Sequence, residues 1–314
     1  MTSTRPHPAA WRGPELLERN DWLVKLGPED SLDSEAFREM LLRIQSALEH
    51  GSGATLLRGL PIENLSESEA KELFLSLTQV VGSPLSQSVE GDLVFSVRDA
   101  GFKADDPRAR GPNTRKKLSF HTDRCDVIAF LCLKQARTGG ENEVVSSLTL
   151  YHEIARRRPD LLEILTQPFP YKRHTIDPAN RLGHCLQPIF SIYKNHFSCA
   201  FLRVLIDRAH HDPDLPSLSE KQIEALDFLE SVAAEPELHV RFLQRPGDIL
   251  FLNNWTTLHR RTEFEDWPNP TEKRHILRIW LSVPNSRPLD PVFADNFGDT
   301  RAGAIRGGIK PSTP

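Results

Sequence analysis

Strand-forming apolar runs lie scattered along this chain from one end to the other, and no regular strand–helix alternation carries them. ATLLRGL at 54–60, DVIAFLCLKQA at 126–136 and ENEVVSS at 141–147 each have the length and composition of a buried strand. The final third, with HVRFLQRPGDILFLNNWTTLHRRTEF and KRHILRIWLSV, is rich in β-formers and broken by Pro-Gly and polar turns. Helices are inserted between these runs. Phe37, Met40, Leu41, Ile44 and Leu48 recur at helical spacing, and Gly51 ends that run. Ser66 with Glu69, and Ser219 with Gln222, are capping boxes that open two further helices. Residues 146–165 are helical in pattern, 168–197 irregular, and the glycine-rich tail after Phe297 extended. The order argues against a βαβ sheet and for a mainly β (α+β) fold, a jelly roll with inserted helices.

The expected organisation is an N-terminal extension over 1–30, partly ordered and loosest in its first ten residues, then one domain over 31–314. Inside that domain the polar stretch 98–117, with Gly101, Pro107, Gly111 and Pro112, has the length of a lid loop. Hydrophobic residues make up 39% and the net charge is −4, so no whole-chain field marks a nucleic-acid or anionic-membrane partner. No apolar run approaches the roughly 20 residues that span a bilayer, and the first residues lack the apolar core of a secretory signal. The expectation is a cytoplasmic protein with a small-molecule partner; whether it forms a homo-oligomer stays open. Cys125, Cys132, Cys185 and Cys199 form no C-x-x-C pair and read as free thiols.

The chemistry starts at LSFHTDRCD. His121 and Asp123 are two apart, and in extended backbone residues i and i+2 point to the same side. Two His and one carboxylate on one face of an octahedron define the non-haem Fe(II) oxygenase site, so a second, distant His is needed. His259 in NNWTTLHRR fits, following a turn-strand signal. Beyond it come Arg274 and Arg278 in RHILRIW, and the arginine fork matches a carboxylate bidentately. A dicarboxylate cosubstrate chelating a metal at one end needs such an anchor at the other.

With these motifs on the page, the sequence resembles the taurine dioxygenase/TfdA-like branch of the clavaminate-synthase-like Fe(II)/2-oxoglutarate oxygenases. The resemblance runs from about residue 54 to the C-terminus and is sharpest in LSFHTDRCDVIAFLCLKQARTGGENEVVSS, RPGDILFLNNWTTLHRRTEFED and RHILRIWL. It implies a double-stranded β-helix core, with His121, Asp123 and His259 as ligands of Fe(II), and with 2-oxoglutarate and O2 as cosubstrates. Arg274 matches the residue that pairs with the distal carboxylate of 2-oxoglutarate; Arg278 matches one near the cosubstrate or an anionic substrate. Asn142 stands where the family commonly has Thr or Ser, and its amide still offers a hydrogen bond to the cosubstrate. The implied reaction oxidises, most simply hydroxylates, an unactivated C–H bond of a small polar, carboxylate-bearing metabolite such as an amino acid or natural-product intermediate.

Other residues have blander readings. Arg98 and Arg115 are candidate substrate-steering cations, against a solvated edge shared with Lys116 and Lys117. His210-His211 read as a surface turn, Asn253-Asn254 as backbone ties, Phe120 as core, and Tyr193 and Trp255 as core or pocket wall. Two other functions compete: a cupin-like metal hydrolase or isomerase, which has no use for the Arg274/Arg278 pair, and a non-catalytic jelly-roll binding module, which has no need of three ligands.

Overall fold

The computed structural model describes residues 7–27, 29–102 and 111–312. From the N-terminal side, α1 (Gly13–Leu17) and β1 (Leu23–Lys25) lead into α2 (Glu35–His50), β2 (Ala54–Arg58) and α3 (Glu67–Val81). The Ser66–Glu69 capping box read from sequence starts α3, where the two residues cap each other, and α2 starts at Ser34, whose side chain accepts from Phe37 N. Then come β3 (Ser83–Leu85), β4 (Phe95–Val97), β5 (Val127–Lys134), β6 (Thr138–Gly139) and β7 (Asn142–Ser146). Helices α4 (Ser147–Arg157) and α5 (Pro159–Leu165) divide the single helix expected over 146–165, because Pro159 cannot continue a helix but starts one well.

The stretch 168–197 is not irregular. It forms two antiparallel hairpins, β8 (Phe169–Lys172) with β9 (His184–Gln187) and β10 (Phe190–Tyr193) with β11 (His196–Cys199). The turn of the second rests on Lys194 and Asn195, both at positive φ. Short strands rich in His and Pro carry little period-two signal, which is why composition concealed them. After α6 (Arg203–His210) and α7 (Glu220–Ala233) the chain runs through β12 (His239–Phe242), β13 (Ile249–Asn253), β14 (Thr257–Arg261), β15 (Phe264–Glu265) and β16 (His275–Ser282), ending in α8 (Ala294–Phe297).

The strands assemble into a seven-stranded sheet, ordered β1-β2-β13-β5-β16-β3 with β4 also on β16, and a three-stranded sheet, β12-β7-β14. Only β1 and β2 pair in parallel within these two sheets. Alternation along the central strands sorts their side chains. On β5, β13 and β16 the set Val127, Ala129, Leu131, Ile249, Phe251, Leu277, Ile279 and Leu281 packs under Phe37, Leu41, Ile44, Phe74 and Leu77 of α2 and α3. The opposite set, with Ile128, Leu250, Leu252 and Trp280, packs with Val144 of β7 and Val240 of β12. The outer face of the small sheet, Val145 and Leu258, is covered by α4, α5 and α7 and by the hairpins. Both sheets are therefore buried on two sides, except where polar residues line the space between them.

Residues 9–26 are not a loose appendage. Trp11, Leu16 and Trp22 are buried with the inner face of the large sheet, and β1 extends its edge. Apolar anchors spaced too far apart for either period gave no sequence signal. The tail beyond Phe297 has no regular structure, yet it carries Arg306 into the interior, 2% exposed, where its Nε donates to Asp126 Oδ1 at 2.6 Å. Asp126 also accepts from Trp255 Nε1, the Ser282 hydroxyl and Val283 N, so its buried charge is fully partnered. Removing one partner of such a pair typically costs about 3–5 kcal/mol. We expect Arg306→Met to lose stability of about that size in equilibrium urea unfolding; a near-neutral result would show that the tail does not hold Asp126.

Candidate metal and cosubstrate site

His259 lies on β14, an edge strand of the small sheet, and His121 bonds to it from outside any named strand. The two residues exchange both backbone hydrogen bonds, each at 3.0 Å, as an isolated antiparallel bridge. Directly opposed residues in such a pair carry their side chains on the same face, which brings the imidazoles to 4.4 Å between centroids. Two residues on, Asp123 is turned in by its own backbone: Asn254 Oδ1 accepts from Asp123 N at 2.9 Å, and Thr122 N donates to the Phe201 carbonyl. The Asn254 side chain reaches the Cys125 thiol as well. Asn253 and Asn254 are thus backbone ties, as their sequence suggested, and the second one ties a metal-ligand candidate.

The result is a cluster. One ligand atom from each of His121, Asp123 and His259 lies within 4.8 Å of the others. Asp123 Oδ2 sits 3.5 Å from His259 Nε2 and 3.9 Å from His121 Nε2, and it has no hydrogen-bond partner. The Ser119 carbonyl accepts from His121 Nδ1 at 2.8 Å, which fixes the tautomer and leaves the Nε2 lone pair facing the carboxylate. Burial, with His259 alongside, pushes the His121 ring down to about 4, so at neutral pH it is an uncharged ligand. Burial alone would raise the Asp123 carboxyl, but Arg278 and the two imidazoles outweigh it and hold the acid well below the usual carboxylate range. Two imidazoles and an ionised carboxylate with a bare oxygen form the donor set a divalent iron takes.

The cluster faces a cavity of about 480 Å³, counted out to its mouth, between the two sheets. Val97, Phe130, Ile276 and Arg278 come from the large sheet and Asn142, His259 and Arg261 from the small one. Pro112 and Leu118 close one side. Arg274 stands at the far wall, 3% exposed, over the ring of Phe264, with Nε and Nη1 lacking any partner. Burial pushes its guanidinium down to about 10, so it remains a cation. Gly140, at φ +78°, makes room for it: a Cβ there would meet Arg274 Nε at 3.3 Å. A buried cation with idle donors is costly unless an anion completes it, and a carboxylate does so.

Arg278 is engaged differently. It approaches Asp123 Oδ1 at 3.5 Å and donates to Gln87 Oε1 at 2.7 Å, between the rings of Phe95 and Trp280. Asn142 lines the cavity, and its amide nitrogen donates to Gln244 Oε1 at 3.1 Å. Gln244, Gln87 and Arg261 are site residues that sequence reasoning missed; only Arg261 carried a signal, being two residues past His259 on one strand face. Arg98 and Arg115 do not line the cavity. Arg115 is exposed and paired with Asp99 at 3.1 Å, and Arg98 is exposed one residue beyond cavity-lining Val97, so alternation turns it outward. Of the expected lid 98–117, residues 103–110 lie outside the described residues. His210 and His211 cap local backbone, and Trp255 is core, edge-on to Phe293 and tilted against Phe297.

The profile of the taurine catabolism dioxygenase TauD, TfdA family matches residues 23–280. FR-33289 synthase of Streptomyces rubellomurinus is 32% identical over 266 residues, covering 82% of this chain and 77% of that one. Taurine hydroxylase-like protein SAT17 of Stachybotrys chartarum is 26% identical over 298 residues, 89% of this chain and 73% of that one. Among solved structures, an asparagine oxygenase in complex with Fe(II), 2S,3S-3-hydroxyasparagine and succinate shares the fold, with TM-score 0.61 and 20% identity over 86% of each chain.

His259→Ala is expected to abolish stoichiometric Fe(II) binding in anaerobic calorimetry. Asn254→Ala, which frees the Asp123 backbone but keeps all three ligands, should weaken it about tenfold with the fold intact. Unchanged affinity in His259→Ala would exclude this cluster as the metal site.

Proposed function

The chain belongs to the taurine catabolism dioxygenase TauD, TfdA family and is an iron- and 2-oxoglutarate-dependent dioxygenase; on that premise we propose that it hydroxylates an unactivated C–H bond of a small, carboxylate-bearing metabolite. The observation that carries this reading is one cavity holding a His-Asp-His cluster and, across it, a buried arginine with two unpartnered donors. The competing hydrolase or isomerase gives no use for that arginine, and a binding module gives none for a bare, ionised ligand oxygen. We also read the two facing sheets as the double-stranded β-helix, and residues 31–314 with the docked segment before them as one catalytic unit.

His121, Asp123 and His259 would hold the iron from one side and leave its other positions toward the cavity. When bound, Fe(II) with 2-oxoglutarate and O2 supplies the oxidant for a C–H bond, with succinate and carbon dioxide released. The protein's own part is placement and shielding. Arg274 pairs with the distal carboxylate of 2-oxoglutarate, with Asn142 beside it. Val97, Pro112, Leu118, Phe130 and Ile276 supply apolar walls that keep water from the reacting carbon. Arg278, poised between Asp123 and the aromatic rings, offers a positive charge to an anionic substrate group, which favours amino acids and carboxylate-bearing natural-product intermediates.

Adding Fe(II) and 2-oxoglutarate without oxygen should produce a weak visible charge-transfer band, and a screen of amino acids and related acids should reveal substrate-dependent succinate release with a product heavier by one oxygen. Arg274→Ala should raise the 2-oxoglutarate needed by about 10- to 100-fold, the loss of a charge-assisted hydrogen-bond pair, with much smaller change in kcat at saturation. No band in the unmodified protein would return the choice to the hydrolase or the binding module.

A further inference from the structure

Arg261 shares a strand face with His259, yet its guanidinium is engaged by a neighbouring loop. Nη1 donates to the Thr114 carbonyl at 2.8 Å, Nη2 to the Lys116 carbonyl, and Nε to the Thr262 carbonyl at 3.1 Å. Its backbone carbonyl accepts from Leu118 N at 3.0 Å. One residue of a rigid strand thus grips the 114–118 segment at three points. The segment it grips matters to the site at both ends. Pro112 and Leu118 are cavity wall, and Ser119, the next residue, gives the carbonyl that fixes His121.

Arg261 also stands beside the cosubstrate anchor. Its guanidinium lies 4.6 Å from the ring centroid of Phe264, and that of Arg274 lies 5.2 Å from the same ring. Both side chains are at least nine-tenths buried, and both line the cavity. Two like charges in such a corner repel strongly, because little water screens them. An anion at Arg274 cancels part of that repulsion, and Arg261 then holds its carbonyls at lower cost.

We propose that Arg261 is a positioning residue that couples occupancy of the Arg274 anion site to the order of the 111–119 segment. A carboxylate at Arg274 tightens the Arg261 grip on Thr114 and Lys116; the segment then holds the cavity wall and the His121 orientation. The anion's identity as 2-oxoglutarate rests on the dioxygenase reading, whereas the grip itself does not.

Amide exchange read by mass spectrometry tests this, with Mn(II) standing in for Fe(II) and with or without 2-oxoglutarate. In the unmodified protein the ligand should slow exchange over 111–119 by about tenfold. Arg261→Met should speed ligand-free exchange there by about tenfold and abolish the ligand effect, while peptides from 249–253 stay unchanged. Arg261→Gln keeps donors without charge: it should retain part of the ligand-free protection but lose the ligand-dependent slowing. In each variant exchange is compared at 2-oxoglutarate concentrations that saturate the anaerobic charge-transfer band. Full slowing in Arg261→Gln, unchanged exchange in Arg261→Met, or binding as weak as in Arg274→Ala would each overturn the coupling. An unmodified protein that shows no ligand-dependent slowing also sinks it, and if that protein binds no 2-oxoglutarate the dioxygenase reading fails as well.

Discussion

A charge taken out of water must be paired or else it destabilises the fold, and this structure handles that requirement in two opposite ways. Asp126 and Arg306 are buried together, and Asp126 has four hydrogen-bond partners. Arg287 is likewise closed, on Glu49 and on two backbone carbonyls. Around the cavity the pattern reverses. Asp123 Oδ2, His259 Nδ1, and Nε and Nη1 of Arg274 are all buried without partners. The Asp123 oxygen and the Arg274 donors belong to opposite charges that line one cavity, which is shaped for something else to complete them.

Placement of these groups follows from the period-two geometry of strands. On β16, Leu277, Ile279 and Leu281 must face α2 and α3, so Ile276, Arg278 and Trp280 face the other sheet. On β14, Leu258 packs outward and His259 and Arg261 point inward. A slip of one residue in either register would exchange the two sets, burying arginine under the helices and exposing the metal ligand to the outer core. The same apolar residues that hold the sheets therefore hold the chemistry in register. Arg274 keeps the alternation of Ile276 and Arg278 although it stands just before β16, beside the register shift at His275 and Ile276; there Asp266 Oδ1 accepts from its backbone N at 2.8 Å.

What the sequence made legible divides along similar lines. Long helices with Ser caps and strands with five or more apolar residues could be read, because local periodicity encodes them. So could the triad, since H-x-D, a distant His on a strand and a following R-x-x-x-R each carry a distinct chemical signature. The hairpins at 169–199 and the docking of Trp11, Leu16 and Trp22 were not legible, being decided by contacts made across the fold. The same holds for Gln87 and Gln244. Each is an ordinary glutamine in sequence and acquires a role only because Arg278 and Asn142 are brought against it. The loop arginines fail for the converse reason: Arg98 and Arg115 are close to His121 along the chain, but strand alternation and Asp99 turn them to solvent.

This division bears on how one scaffold can serve many substrates. The candidate ligands and Arg274 are placed by sheet registers and by single hydrogen-bond ties from the Asn254 side chain and the Ser119 carbonyl. The walls that would meet a substrate come partly from Pro112 and Leu118, in a segment held by the Arg261 side chain and carbonyl and by Phe264 N, which donates to the Arg115 carbonyl, rather than by a strand ladder. Sequence change at Pro112 or Leu118 alters cavity shape, whereas a change that displaces Ser119 or frees the segment from Arg261 reaches His121 as well. The His-Asp-His cluster and Arg274 thus rest on core registers, where each substitution is costly, while part of the cavity wall stands on a loop, where sequence varies at less cost to the fold.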